Sequence, residues 1–192
     1  MDTTDRAMAI KRLQEKLSGE WLETEHITEM LRESLETDHH IKGMDNVPWS
    51  LSNSQGDGVA FEGHLDLDYL RKHQPELDEM IGNCEALVLL SGAEYELENT
   101  HCEVGHYGNY YHENSMNLDI EWNNRWKSST CPTPLIDWLN DIEKWLERYI
   151  KNVSRALARL GYEQIEFYGS EEHATEYLDA NPEVLDLLEL TK

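Results

Sequence analysis

Basic residues are scarce in this chain of 192 residues, because 16 Lys and Arg stand against 39 Asp and Glu and give a formal net charge of −23. Such an imbalance repels nucleic acid and anionic membranes and favours basic partners. We therefore expect no direct binding to nucleic acid or to a membrane. A well-solvated surface, or adaptation to salt, is the alternative explanation of the charge. Hydrophobic residues make up 39% of the chain, with six Trp and nine Tyr, which predicts a folded protein rather than a disordered acidic one.

Cysteines are also few, and long apolar stretches are absent from the sequence. Cys84, Cys102 and Cys131 are odd in number and have no Cys-x-x-Cys spacing, which argues against a disulfide framework and suits a reducing cytoplasm. The N-terminus is polar, without the apolar stretch of a signal peptide, and no apolar run approaches membrane-spanning length. We therefore expect a cytoplasmic protein.

No catalytic signature stands out from the composition. The chain has no Gly-x-Ser-x-Gly sequence, no cysteine has a recognisable partner, and carboxylates are too numerous for their spacing to single out an acid–base pair. The stretch Gly56-Asp57-Gly58 lacks the Gly-Lys-Ser/Thr ending of a phosphate-binding loop, so it predicts a tight turn that enters a strand. We expect a protein that is not an enzyme and that holds no cofactor.

Zinc is the metal to consider, because histidines and a cysteine crowd residues 101–112. Successive side chains of a strand point to opposite faces, so His101 and His106 are expected on different sides of the sheet. Same-face residues four apart lie about 13 Å from each other, whereas zinc ligands lie within about 2.3 Å of the metal. The sequence therefore predicts no metal site.

The periodicity of apolar residues predicts an α+β fold. Helices are expected at residues 5–35, divided near Gly19; at residues 67–82, interrupted at Pro75 and ended at Gly82; at residues 134–160, ended by Gly161; and in a short segment capped by Ser170. Residues 37–54 are expected to form a loop and residues 59–65 a strand. We expect a small antiparallel sheet of about four strands with a central β-hairpin, packed against several helices. The predicted division is an N-terminal helical region, residues 1–40, followed by an α+β core domain with C-terminal helices, residues 41–192.

The hairpin is predicted from two alternating stretches. Apolar residues occupy every second position from Ala93 to Leu97 and again from Met116 to Trp122, which is typical of strands with one face in the core. Between them, Gly108-Asn109 is typical of a two-residue turn. With that turn, Tyr95 is expected opposite Trp122, Leu97 opposite Ile120, and His101 opposite Met116.

The other face of this hairpin is predicted to be acidic. The expected register places Glu96 opposite Glu121 and Glu98 opposite Asp119, and like charges in these positions destabilise a ladder. Same-face carboxylates recur about every 6.8 Å along a strand, so two rows give about half the axial charge density of duplex DNA. An ordinary solvent face is the alternative interpretation. The residues expected to bind a partner are Glu94, Glu96, Glu98, Asp119 and Glu121.

Two segments carry a resemblance to known proteins. Ser54-Gln-Gly-Asp-Gly-Val-Ala-Phe61, and Gly105 to Met116 with its Tyr110-Tyr111-His112, resemble a widespread, mostly uncharacterised family of bacteriophage-encoded proteins. That family shows a SQGDGxxF segment and then a YYH hairpin before a strand. The resemblance covers roughly Ser54 to Asn181 and implies a phage origin, but no mechanism. The chain departs from the pattern in lacking an Arg in the hairpin motif.

The residues that match these motifs define a possible pocket. Gln55 and Asp57 belong to the first motif, and Tyr111 and His112 to the second. The resemblance implies that the four residues can line a common surface. They are therefore the candidates for a ligand site.

The leading hypothesis is a phage accessory protein that binds and inhibits a host protein in the host cytoplasm. Its acidic face would mimic DNA for a nucleic-acid-handling defence factor with a basic surface. The first alternative is a small enzyme or ligand binder with a site around Asp57 and His112. The second is an antitoxin-like protein that neutralises a basic protein. A homodimer through the apolar N-terminal helices is a further expectation.

Overall fold

The computed structural model describes residues 3–17, 24–52, 54–91, 100–122 and 133–184. Within these ranges the chain forms six α-helices and six short strands. The helices are α1 (Thr3–Leu17), α2 (Thr24–Thr37), α3 (Leu67–His73), α4 (Pro75–Ser91), α5 (Thr133–Tyr168) and α6 (Glu171–Ala180). The strands are β1 (Met44–Asn46), β2 (Trp49–Ser50), β3 (Gly58–Val59), β4 (Glu62–His64), β5 (His101–His106) and β6 (Met116–Glu121).

Four of the strands form an antiparallel sheet in the order β1-β4-β5-β6, and β2 pairs with β3 in a separate ribbon. Side chains alternate along β5 and β6, so that Cys102, Val104 and Ile120 are buried while Glu103 and Asp119 are exposed. This period of two gives the sheet one core face and one outer face. The predicted α+β class, with a small antiparallel sheet and a β-hairpin, is confirmed.

The predicted register of the hairpin is wrong. Ile120 lies opposite Cys102 rather than Leu97, and Met116 lies opposite His106 rather than His101. The connection is nine residues long, 107–115, because after the turn at Gly108 (φ 64°) the chain returns through a 3₁₀ turn. Because the register differs by an odd number of residues, His101 lies on the outer face instead of in the core. The predicted partner of Trp122, Tyr95, lies outside the described residues.

The helix boundaries confirm some local signals and contradict others. Pro75 separates α3 from α4, and Ser170 caps α6 by accepting a hydrogen bond from the backbone N–H of His173, both as predicted. Gly82 and Gly161 do not end their helices, because α4 continues to Ser91 and α5 to Tyr168. A glycine inside a helix costs only about 1 kcal/mol, which the burial of an apolar helix face outweighs.

The other local expectations had mixed outcomes. The stretch 5–35 forms two helices, α1 and α2, as predicted, and the expected divider Gly19 lies outside the described residues. The predicted loop 37–54 contains the two short strands β1 and β2. The predicted strand 59–65 is interrupted, because buried Ala60 and Phe61 separate β3 from β4.

The chain divides into two compact units, each with its own core. The first contains Met1–Glu29 and Arg159–Lys192, and in it Leu13 and Leu17 of α1 pack with Ala174 and Leu178 of α6. The second contains Met30–Ala158 and holds the sheet. Its fully buried side chains include Leu31, Ile41, Phe61, Leu65, Leu70, Ile81 and Leu146. The first unit joins the two ends of the chain, so this division differs from the one predicted at residue 40.

Candidate functional site

The outer face of the four-stranded sheet is acidic. The pairing of β5 with β6 places Glu103 opposite Asp119, with Glu121 further along the same face. Asp45 from β1 and Glu62 from β4 line a cleft of about 400 Å³ together with Glu103 and Asp119. The four strands contain no Lys and no Arg. We define the acidic face as Asp45, Glu62, Glu103, Asp119 and Glu121.

Short-range contacts on this face involve Glu62, Glu103 and the backbone carbonyl of Asp45, to which Arg32 of α2 donates at 3.4 Å. Asn46 donates a hydrogen bond from Nδ2 to Oε1 of Glu62 at 3.1 Å. His106 Nε2 lies 3.6 Å from Glu62 Oε2, and His101 Nε2 lies 3.6 Å from Glu103 Oε2. The facing carboxylates of Glu103 and Asp119 repel each other and destabilise the ladder. This pair therefore does not contribute to the stability of the sheet.

Only two of the five residues expected to bind a partner lie in the described part of the chain. Asp119 and Glu121 are exposed on β6, whereas Glu94, Glu96 and Glu98 lie outside the described residues. The position opposite Asp119, expected for Glu98, is taken by Glu103, and the position opposite Glu121, expected for Glu96, is taken by His101. Among the described residues, the face therefore keeps Asp119 and Glu121 of the expected set and adds Asp45, Glu62 and Glu103.

Sequence reasoning missed three members of the acidic face. Glu103 was missed because the register was wrong, and a longer loop would have placed it correctly. Asp45 lies in a three-residue strand within the stretch expected to be a loop, and Glu62 lies in another three-residue strand. Strands this short have too few residues for a period of two to be visible.

The second candidate region is the turn before β3, where a carboxylate is surrounded by donors. Asp57 accepts hydrogen bonds from Ser50 Oγ at 2.7 Å, from the backbone N–H groups of Ser52 and Ser54 at 2.6 Å, and from Ser54 Oγ at 2.8 Å. Burial alone would raise the pKa of Asp57, but the hydrogen bonds from Ser50, Ser54 and Ser52 outweigh it and hold the pKa well below its usual range. We call Ser50, Ser52, Ser54 and Asp57 the serine turn.

The chain beside the serine turn packs closely against the β5–β6 loop. The backbone N–H of Tyr111 donates to the carbonyl of Gly56 at 3.0 Å. A Cβ on Gly58 would lie 2.5 Å from the carbonyl oxygen of Tyr111, and a Cβ on Gly56 (φ 98°) would lie 2.2 Å from the ring of Tyr110. Only glycine fits such close approaches. The structure thus brings the backbones of the two resemblance motifs together.

Two of the four residues of the possible pocket, Asp57 and His112, have side-chain hydrogen bonds within the chain. The carboxylate of Asp57 is occupied by the serine turn, and His112 Nδ1 accepts a hydrogen bond from the backbone N–H of Asn114 at 3.0 Å. The Tyr111 ring contacts the ring of His106 at 5.2 Å between centroids, and Gln55 is exposed. Through these bonds Asp57 and His112 stabilise two loops. Fewer of their hydrogen-bonding groups are then left for a ligand.

In the described part of the chain, no three His, Cys, Asp or Glu side chains lie close enough together to hold a metal ion. None of its helices is both long and apolar enough to cross a membrane.

The chain was compared with known protein families, curated proteins and solved structures. No curated protein and no solved structure matches it. Residues 19–175 match a family described as "Domain of unknown function (DUF8835)". The matched range includes the whole acidic face, the serine turn and the β5–β6 loop. Because the match covers most of its length, the chain belongs to this family of proteins with a domain of unknown function.

Proposed function

We propose that the protein is a non-catalytic binding protein that docks a basic surface of another protein onto its acidic face. The observation that carries the proposal is the facing pair of Glu103 and Asp119 in a sheet whose strands contain no Lys or Arg. A basic partner would relieve the repulsion between these carboxylates. The same contact would use charge that now destabilises the isolated sheet.

The dimensions of the acidic face favour a protein that normally binds nucleic acid. Neighbouring strands lie about 4.8 Å apart and same-face residues about 6.8 Å apart, so four strands spread the carboxylates over about 14 Å. Anionic groups at such spacings present a surface comparable to part of a phosphate array. On this basis, and on the resemblance to phage-encoded proteins, we propose a phage accessory protein that inhibits a nucleic-acid-handling defence factor in the host cytoplasm.

Two other functions from the sequence remain as alternatives. An antitoxin-like protein that neutralises a basic toxin would use the same acidic face, so charge does not distinguish it from a host inhibitor. A small enzyme or ligand binder around Asp57 and His112 has less support, because the Asp57 carboxylate is filled by the serine turn and His112 Nδ1 is used inside its own loop.

The test is affinity capture from a bacterial lysate at low and high salt, with three baits and identification of the bound proteins. The first bait is the wild-type protein, and the second carries Glu103→Lys and Asp119→Lys. The third carries Glu163→Lys and Glu166→Lys, which change two exposed carboxylates of α5 and alter the net charge by the same amount.

We expect the wild-type bait and the α5 control to retain a basic, nucleic-acid-binding protein that the second bait loses. High salt should release that protein, because exposed charge pairs are screened. Equal loss from both charge-reversed baits would contradict the proposal, since net charge rather than the acidic face would then decide binding. A toxin among the captured proteins would favour the antitoxin alternative.

A further inference from the structure

The β5–β6 loop exposes two aromatic side chains at its tip. Tyr107 is 66% exposed and Tyr110 is 55% exposed. They are two of the five large hydrophobic side chains that are exposed within the described residues, and only three positions separate them. Tyrosine is enriched in protein interfaces, where its ring supplies apolar contact at a small entropic cost. The two rings therefore offer apolar contact area to a partner.

Hydrogen bonds inside the loop support the backbone on both sides of this tip. Tyr107 donates from its backbone N–H to the carbonyl of Ser115 at 3.0 Å, which closes the loop at its base. The buried hydroxyl of Ser115 lies 2.7 Å from the carbonyl oxygens of both Tyr110 and His112. His112 in turn caps the following 3₁₀ turn through Nδ1. Loop residues bonded in this way lose little freedom when they bind.

The serine turn supports the tip from outside the loop. The carbonyl of Gly56 accepts from Tyr111, and the ring of Tyr110 lies against the Cα of Gly56, where a side chain would collide with it. Asp57 keeps this turn in shape through its bonds to the three serines. The chain around residues 50–58 thus supports the loop at Tyr110 and Tyr111.

The tip begins beside the cleft of the acidic face, because His106 lines that cleft. Tyr107 directly follows His106, the last residue of β5, and His106 lies 3.6 Å from Glu62 and in ring contact with Tyr111. Exposed charges mainly accelerate association and set its salt dependence, whereas packed aromatic anchors mainly slow dissociation. The two features complement each other on one binding surface.

We propose that Tyr107 and Tyr110 are the apolar anchors of the acidic face, and that the partner carries apolar side chains beside its Lys and Arg residues. This inference rests on the proposed function and specifies its partner further. A partner that carries only positive charge, such as a polyamine or a basic peptide without apolar residues, would contact the carboxylates alone. The tyrosines thus restrict the protein to mixed basic and apolar surfaces.

The test uses two synthetic peptides of equal length and equal charge, one alternating Arg with Ser and the other alternating Arg with Leu. Their dissociation constants are measured by calorimetry with the wild-type protein, with Tyr107→Ala, and with Ile136→Ala. Ile136 is an exposed hydrophobic residue of α5, and its substitution controls for nonspecific hydrophobic binding. Because Tyr110 packs on Gly56, it is changed only to Phe, which keeps the ring.

We expect the wild-type protein to bind the Arg–Leu peptide about tenfold more tightly than the Arg–Ser peptide, as is usual for an interface anchor. Tyr107→Ala should remove most of this preference, so that the ratio of the two dissociation constants falls toward one. Ile136→Ala and Tyr110→Phe should keep the preference. If Tyr107→Ala keeps it too, or if the wild-type protein binds both peptides equally, the inference is wrong while the proposed function stands. If neither peptide binds at low salt, the proposed function itself fails.

Discussion

Asp57 and Asp119 are carboxylates in the same compact unit, yet their surroundings differ completely. Asp57 accepts hydrogen bonds from three serines and two backbone N–H groups. Asp119 faces Glu103 on the neighbouring strand, and neither strand contains Lys or Arg. The first carboxylate has its acceptors filled by the fold, and the second faces a like charge that the proposed basic partner would neutralise. The comparison separates structural acids from candidate binding acids, which composition alone cannot do.

The two regions contribute to the stability of the native state with opposite signs. A hydrogen bond to a charged group contributes about 1.5–3 kcal/mol when it is protected, so the serine turn stabilises the native state even after allowance for its solvent exposure. Like charges opposite each other in a ladder cost up to about 1 kcal/mol. The acidic face therefore weakens the fold that presents it. Such a local cost is expected at functional sites.

The largest effect is expected when the packing of Gly58 against the β5–β6 loop is disrupted. Gly58→Ala places a Cβ within 2.7 Å of the His112 Cα and closer still to the Tyr111 carbonyl, so backbone must move. We expect a loss of about 3 kcal/mol in the free energy of unfolding, measured by urea denaturation. Gly108→Ala is the matched control, because its Cβ would meet no atom within 4 Å and only its positive φ opposes it. The control should lose about 1 kcal/mol, and equal losses would show that the contact between the two motifs does not matter.

Asp57→Ala should have the next largest effect. It leaves the donors of Ser50, Ser52 and Ser54 without their shared acceptor, and water replaces that acceptor only in part. We expect a loss of about 2 kcal/mol in the free energy of unfolding. Asp119→Ala should cause no loss, since it removes a repulsion. If both variants are equally stable, the distinction between the two carboxylates does not hold.

The same carboxylate predicts a dependence of stability on pH. Because the pKa of Asp57 is lower in the folded state than in the unfolded state, its contribution is complete above the unfolded value of about 4 and is lost as the pH falls toward the native value. We therefore expect the thermal midpoint of the wild-type protein to fall below about pH 4 more steeply than that of Asp57→Asn. Parallel curves for the two proteins would contradict the assignment.

The fold was predicted more fully than the site, for physical reasons. Helix boundaries depend on sequence signals within a few residues, so the predicted break at Pro75 and the predicted cap at Ser170 were correct. The register of β5 and β6 depends on the length of the connection, and Gly108-Asn109 fits a turn inside a nine-residue loop as well as a two-residue hairpin. The contact between Gly58 and His112 joins residues far apart in the chain, and no local pattern specifies it.

The acidic face offers the smallest predicted change in stability. Glu103→Lys places an ammonium group opposite Asp119 and turns a repulsive pair into an attractive one. We expect a gain of about 0.5 kcal/mol in the free energy of unfolding together with weaker binding to the Arg–Ser peptide. Glu163→Lys should bring no comparable gain. A variant that loses both stability and binding would point to a structural role for Glu103.

The most direct test of the central claim is an NMR titration of the isotopically labelled protein with the Arg–Ser peptide. If the acidic face is the binding surface, the backbone amide shifts will concentrate at Glu62, Glu103, Asp119 and Glu121 and will weaken as salt is added. The exposed acidic residues of α6, Glu171, Glu172 and Glu176, serve as the internal comparison and should move little. Shifts of equal size at α6 and on the sheet would contradict the claim, because the peptide would then sense only the overall charge of −23.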